Sequence, residues 1–108
     1  MHTNNHLDKV FAALSHEVRR GILSCVLKED MRVTELAERF DCSLNGTSKH
    51  IRVLEEAGLV LRVRRGRDHW IQFHGTPLEQ AEAWMGNYTN FWQQWLKVAG
   101  ETPQLSVA

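Results

Sequence analysis

The chain has 108 residues, of which 43% are hydrophobic and 24% charged, and its 13 basic and 13 acidic side chains leave a formal net charge of zero. This composition excludes a disordered polypeptide and a membrane-embedded one, and the length fits one domain burying about 65% of its unfolded surface. The two cysteines, Cys25 and Cys42, fit neither a disulfide framework nor a paired Cys-x-x-Cys zinc or redox motif.

Residues 1–10, MHTNNHLDKV, hold no apolar run. Neither a signal peptide nor a spanning helix is expected there, and a cytoplasmic location follows. Leu7, Val10, Phe11 and Leu14 then recur at helical spacing. Ser15 is placed to cap a second helix, whose Val18, Ile22, Leu23, Cys25 and Val26 turn inward. Thr34 is placed to cap a short third helix, Glu35 to Phe40. Asp41, Cys42 and Ser43 form a turn, Ser43 caps a fourth helix that runs to Ala57, and Gly58 supplies the left-handed residue that closes it.

After Gly58 the apolar period changes from helical to alternating. Leu61 and Val63 are expected to face inward with Ile71 and Phe73, and Arg62 and Arg64 outward, around a reversal at Arg65-Gly66-Arg67-Asp68. A lone hairpin is marginal in water, so its apolar side must rest on the helices. Thr76-Pro77-Leu78-Glu79 reads as a capping box that opens a last helix, Pro77 to about Ala99. The expected order is four helices, a two-stranded wing and a fifth helix, a mainly α winged helix-turn-helix. Residues 1–101 are read as one domain and 102–108 as a loose tail.

Charge is unevenly placed along this order. Residues 1–42 carry a net −1, residues 43–76 a net +3 and residues 77–108 a net −2. The positive excess falls on the fourth helix and the wing, where a duplex-binding face needs it. The candidate DNA contacts are Ser43, Asn45, Thr47, Ser48, Lys49, His50 and Arg52 on the helix. On the wing, Arg62, Arg64, Arg65 and Arg67 are expected to meet phosphates or the minor groove. Leu44 either touches a thymine methyl or supports the turn.

The last helix carries Leu78, Ala81, Met85, Tyr88, Trp92, Trp95 and Ala99 at alternating spacings of three and four, with Trp84, Phe91 and Val98 alongside. A stripe so wide exceeds what one small domain covers. With Leu7, Val10 and Phe11 of the first helix it is expected to form a symmetric dimer interface. A small-molecule pocket among Trp84, Tyr88, Phe91 and Trp92 is a further reading.

The segments Val10-Phe11-Ala12-Ala13-Leu14-Ser15-His16, Arg19-Arg20-Gly21-Ile22-Leu23, Val33-Thr34-Glu35-Leu36-Ala37 and Ser48 through Val60 (SKHIRVLEEAGLV) resemble the ArsR/SmtB family of bacterial repressors. The likeness spans roughly residues 7 to 99, and Tyr88, Phe91, Trp92 and Leu96 resemble its branch with an aromatic last helix. It implies a homodimeric repressor that binds double-stranded operator DNA near its own promoter and leaves when a signal arrives. The Cys-x-Cys positions of the family's third-helix metal site are Ala37 and Arg39 here, and residues 77–101 hold neither the Asp nor the His of its last-helix site. No metal or other cofactor is therefore expected. A thiol-redox signal through Cys42 or Cys25 is one alternative, and a winged-helix module that binds protein is another. No enzyme is expected, because there is no phosphate-cradling glycine loop, no nucleophile elbow and no carboxylate pair across a cleft.

Overall fold

In a computed structural model we describe residues 3–99, leaving aside the side chains of residues 3–5, 90, 92 and 99. The expected tail at 102–108 and the assignment of Trp92 to the apolar seam lie outside the described residues. The elements follow in the order α1 (Thr3–Leu14), α2 (Glu17–Lys28), β1 (Met31–Arg32), α3 (Val33–Arg39), α4 (Leu44–Glu56), β2 (Val60–Arg65), β3 (Asp68–Phe73) and α5 (Thr76–Ala99). Among the described residues no helix is long and apolar enough to cross a membrane.

The expected two-stranded wing is in fact a three-stranded antiparallel sheet, ordered β1-β3-β2. The added strand comes from the link between α2 and α3, where Met31 pairs with Ile71 and Arg32 with Trp70. Two residues are too few to show alternation in the sequence, so this strand has no period to detect.

The core gathers one face of every helix. Val10 and Ala13 of α1, Ile22 and Val26 of α2, Leu36 of α3, Ile51 and Leu54 of α4, and Ala81 of α5 are buried around Leu59, Val60 and Ile71. Val10 and Ala81, expected in the dimer seam, thus belong to the protomer's own core. Leu7, Phe11 and Leu78 pack partly against it.

Local chemistry accounts for most helix ends. Ser43 Oγ accepts the Gly46 N–H at 2.9 Å, the expected cap of α4. Three caps differ from expectation. Ser15 Oγ instead donates to the Ala12 carbonyl, and His16 Nδ1 accepts the Val18 N–H to cap α2. Thr34 lies inside α3, which starts two residues earlier because the Arg32 N–H donates to the Glu35 carboxylate at 2.9 Å. Helix α5 likewise begins with Thr76 already helical, the Glu79 N–H donating to the Gly75 carbonyl.

At the other end of α4 the Gly58 N–H donates to Glu55 and the Leu59 N–H to Leu54, each at 2.9 Å. This is a Schellman turn, with Gly58 at φ 75°. It drops Leu59 and Val60, both essentially inaccessible, into the core. Burial of Val60 sets the parity of the whole wing. Arg62 shares the inner face with Ile71, its cross-strand partner, while Leu61 and Val63 lie on the outer face with Gln72 and Trp70. The expected facing of β2 was therefore inverted, since a shift of one residue exchanges the two faces. The two-residue loop Gly66-Arg67 has its glycine at φ 65°, the type II′ pattern that matches strand twist.

Gly58→Ala should lower unfolding stability by about 1 kcal/mol, because a side chain is forced into the left-handed region. Urea unfolding monitored by circular dichroism measures the shift.

Candidate nucleic-acid interface

Three elements converge at one pole of the molecule: the start of α3, the first turns of α4 and the tip of the wing. Between them lies a cleft of about 190 Å³ whose walls include Arg32, Thr34, Leu44, Ser48, Arg67 and His69. Asn45, Lys49 and Arg52 are exposed on α4 at spacings of four and three, which puts them on one helix face. Ser48 is half-buried beside them at the cleft wall.

Other expected contacts are spent inside the fold. The Ser43 hydroxyl is occupied by its cap. Thr47 is 1% exposed and its hydroxyl donates to the Ser43 carbonyl at 2.9 Å, so it is a core residue. His50 faces α2. Arg19 Nη1 lies 3.2 Å from its Nδ1, and the His16 ring stands 4.4 Å away between centroids. A guanidinium only donates, so Nδ1 accepts and the proton of neutral His50 resides on Nε2. Arg19 also donates to the Ala13 and Ala12 carbonyls, and Arg20 to the Leu14 carbonyl, tying the end of α1 to α2.

The wing arginines divide into two kinds. Arg62 makes a double hydrogen bond to the Glu55 carboxylate, with its Nη2 at 3.1 Å. Arg65 pairs with Asp30 at 3.0 Å, and Asp30 also accepts from Gln72. Arg65 and Arg32 both lie over the Trp70 ring, at 5.2 and 5.6 Å from its centroid. This outer-face cluster fastens the wing to the α2–α3 link. Glu35 completes it, its carboxyl held below the usual range first by the Arg32 backbone N–H and then by the Arg32 side chain. Arg64 and Arg67, by contrast, are exposed and make no ion pair among the described residues, as is true of Lys49 and Arg52. Arg64 Nε reaches only the Gly66 carbonyl, at 3.2 Å.

Arg32, Thr34 and His69 are cleft residues that the sequence reading missed. Thr34 was read as a cap, and Arg32 and His69 come to the cleft only through pairing in the sheet. Both cysteines are half-buried free thiols; Cys25 packs against the core, and Cys42 Sγ donates to the Phe40 carbonyl at 3.4 Å. Among the described residues no three His, Cys, Asp or Glu side chains cluster to hold a metal ion.

Two helices joined by a short turn, a wing beside them and a cationic pole between define a winged helix-turn-helix protein. Residues 14–63 match the family profile described as a helix-turn-helix domain. The chain is 31% identical over 84 residues to the transcriptional repressor SdpR of Bacillus subtilis, an alignment covering 78% of this chain and 93% of that protein. The crystal structure of an ArsR family transcriptional regulator superposes with a TM-score of 0.77 at 30% identity, over 83% of this chain and 93% of the other. The solution structure of a homodimeric winged helix-turn-helix DNA-binding domain from Mycobacterium bovis shares the fold, with a TM-score of 0.66 at 20% identity over 88% of this chain and 85% of that one. The chain belongs to the ArsR family of DNA-binding transcriptional regulators. That membership points to a regulator of transcription rather than an enzyme.

Burial, then the nearby charges of His16 and Arg19, hold the His50 imidazole below its ordinary value of 6.5. The unfolded chain therefore takes up this proton first, and stability falls as pH drops below about 6.5, levelling once the folded histidine titrates. Urea midpoints between pH 7.5 and 5.5 should decline less steeply for His50→Gln than for the parent chain. Equal slopes would remove His50 from the acid response.

Proposed function

We propose that this protein is a homodimeric repressor that binds a specific operator and is released by a signal. The observation that carries the reading is the sorting of cations. Lys49, Arg52, Arg64 and Arg67 are exposed on the fourth helix and wing and make no ion pair among the described residues, Arg67 standing on the cleft wall, while the other wing cations, Arg62 and Arg65, are answered by Glu55 and Asp30. In this reading Asn45, Ser48, Lys49 and Arg52 meet base edges and phosphates in the major groove, and Arg64 and Arg67 meet the flanking backbone.

Dimerisation rests on α5. Trp84 stacks edge-on against Phe11 of α1 at 5.7 Å and tilts against Tyr88 at 4.9 Å, which joins the two terminal helices. Beyond that contact Met85, Tyr88, Phe91, Trp95 and Val98 remain exposed, Phe91 at 63% and Trp95 at 52%. An apolar patch of this extent on one chain calls for a partner surface. The Mycobacterium bovis domain of the same fold is homodimeric, which supports a second copy as that partner. A twofold assembly then presents two copies of α4 to successive major grooves, about 34 Å apart.

Operator affinity measured against salt tests the DNA face. Arg67→Ala should lower the slope of log affinity against log salt by roughly one, the loss of one phosphate contact. Arg65→Ala should leave that slope unchanged, because its charge already answers Asp30; an equal drop for both variants would contradict the assignment.

Sedimentation equilibrium tests the interface. Phe91→Glu should convert a species of twice the chain mass into single chains at micromolar concentration, since a carboxylate in a buried seam is left unpaired.

A further inference from the structure

The geometry points to Leu44 as the reader of a thymine 5-methyl group in the operator, an inference that rests on the DNA-binding reading above. Leu44 is the first residue of α4 and continues the stripe of Thr47, Ile51 and Leu54 along the helix. Those three are buried, yet Leu44 is 54% exposed. The hydrogen bonds that hold the preceding turn come from backbone, hydroxyl and thiol groups. Ser43 Oγ takes the Gly46 N–H, the Ser43 carbonyl takes the Thr47 N–H, and the Ala37 carbonyl takes the Cys42 N–H. Leu44 is not among the partly buried side chains packed on the core.

Leu44 and Val33 are the apolar side chains of the cleft. The rest of its wall is hydrogen-bonding, with Thr34, Ser48, Arg67 and His69 suited to phosphates and base edges beside Asp68 and its ion-pair partner Arg32. An apolar side chain left exposed at the leading end of a reading helix is matched by an apolar counterpart on the duplex. The floor of the major groove offers one, the methyl of thymine; every other feature of its base edges is a donor or an acceptor. Helices of this kind bring their N-terminal residues to the base edges, which carries position one of α4 to that depth. Asn45 and Ser48, next to it and one turn on, would then read the adjoining polar edges, so that Leu44 sets specificity by what those groups cannot recognise.

The test removes the methyl and nothing else. Duplexes enriched by the full chain from a random-sequence pool supply the operator, and each thymine is replaced in turn by deoxyuridine, with binding followed by fluorescence anisotropy. At one thymine per half-site the exchange should weaken binding about fourfold, the worth of one buried methyl. In Leu44→Gln, which keeps helix propensity and side-chain length, the same exchange should have no effect. Because Leu44 is exposed, the thermal midpoint of this variant should match the parent chain, so a folding defect is separable. A defined operator at which no deoxyuridine exchange distinguishes the two proteins overturns the role of Leu44 and leaves the DNA-binding reading standing. If no sequence is enriched and no duplex is bound, the DNA-binding reading fails and takes this inference with it.

Discussion

The buried reversal between α4 and β2 is the constraint on which the rest of the molecule depends. Ala57 and Leu59 are fully inaccessible and Val60 nearly so, and the turn between them closes on two backbone hydrogen bonds. Helix and wing therefore move as one body, because separating them would open the core at its centre. The same turn sets the parity of β2, and through cross-strand pairing it decides which side chains of β3 face outward. The Leu59 carbonyl accepts the His74 N–H at 2.9 Å, so the far end of the hairpin is tied to the same point just before α5 begins.

With that frame rigid, a chain of zero net charge can still present a cationic pole. Charge is sorted by pairing rather than by number. Glu55 answers Arg62 and Asp30 answers Arg65, both across the joint between wing and body, so these pairs position the wing. Exposed pairs of this kind add little to stability, a median of about 0–1 kcal/mol. Their consequence is directional: they hold Arg67 at the rim of the cleft opposite Leu44 and Ser48. The stacking of Arg32 and Arg65 on Trp70 serves the same end from the outer face, fastening the sheet to the α2–α3 link.

Much of this was legible in the order of residues where the governing interaction is local. Ser43 caps α4 because its hydroxyl reaches an amide three residues on, and Gly58 closes it because a positive φ is needed there; both signals lie within four residues. The aromatic stripe of α5 was visible for a similar reason, since helical periodicity repeats every turn. Thr47 and His50 were read as DNA contacts from their place near the start of the reading helix and their residue type. Their actual roles, packing in the core and receiving a hydrogen bond from Arg19, depend on partners brought close by folding. Val10 and Ala81 show the converse: at seam spacing they match the interface pattern, yet α1 and α5 cover them within one chain.

What the order of amino acids determined by itself was the set of helices, the two glycine reversals and the segregation of basic residues into the α4–wing segment. Propensity, capping and periodicity act over a few neighbours and need no distant partner. Tertiary structure alone decided the third strand, the inverted facing of β2 and which arginines remain without an ion pair. Each of these turns on residues far apart in the chain, Met31 with Ile71 or Asp30 with Arg65, meeting only after the core has formed. A strand two residues long and a salt bridge across 35 positions leave no periodic trace.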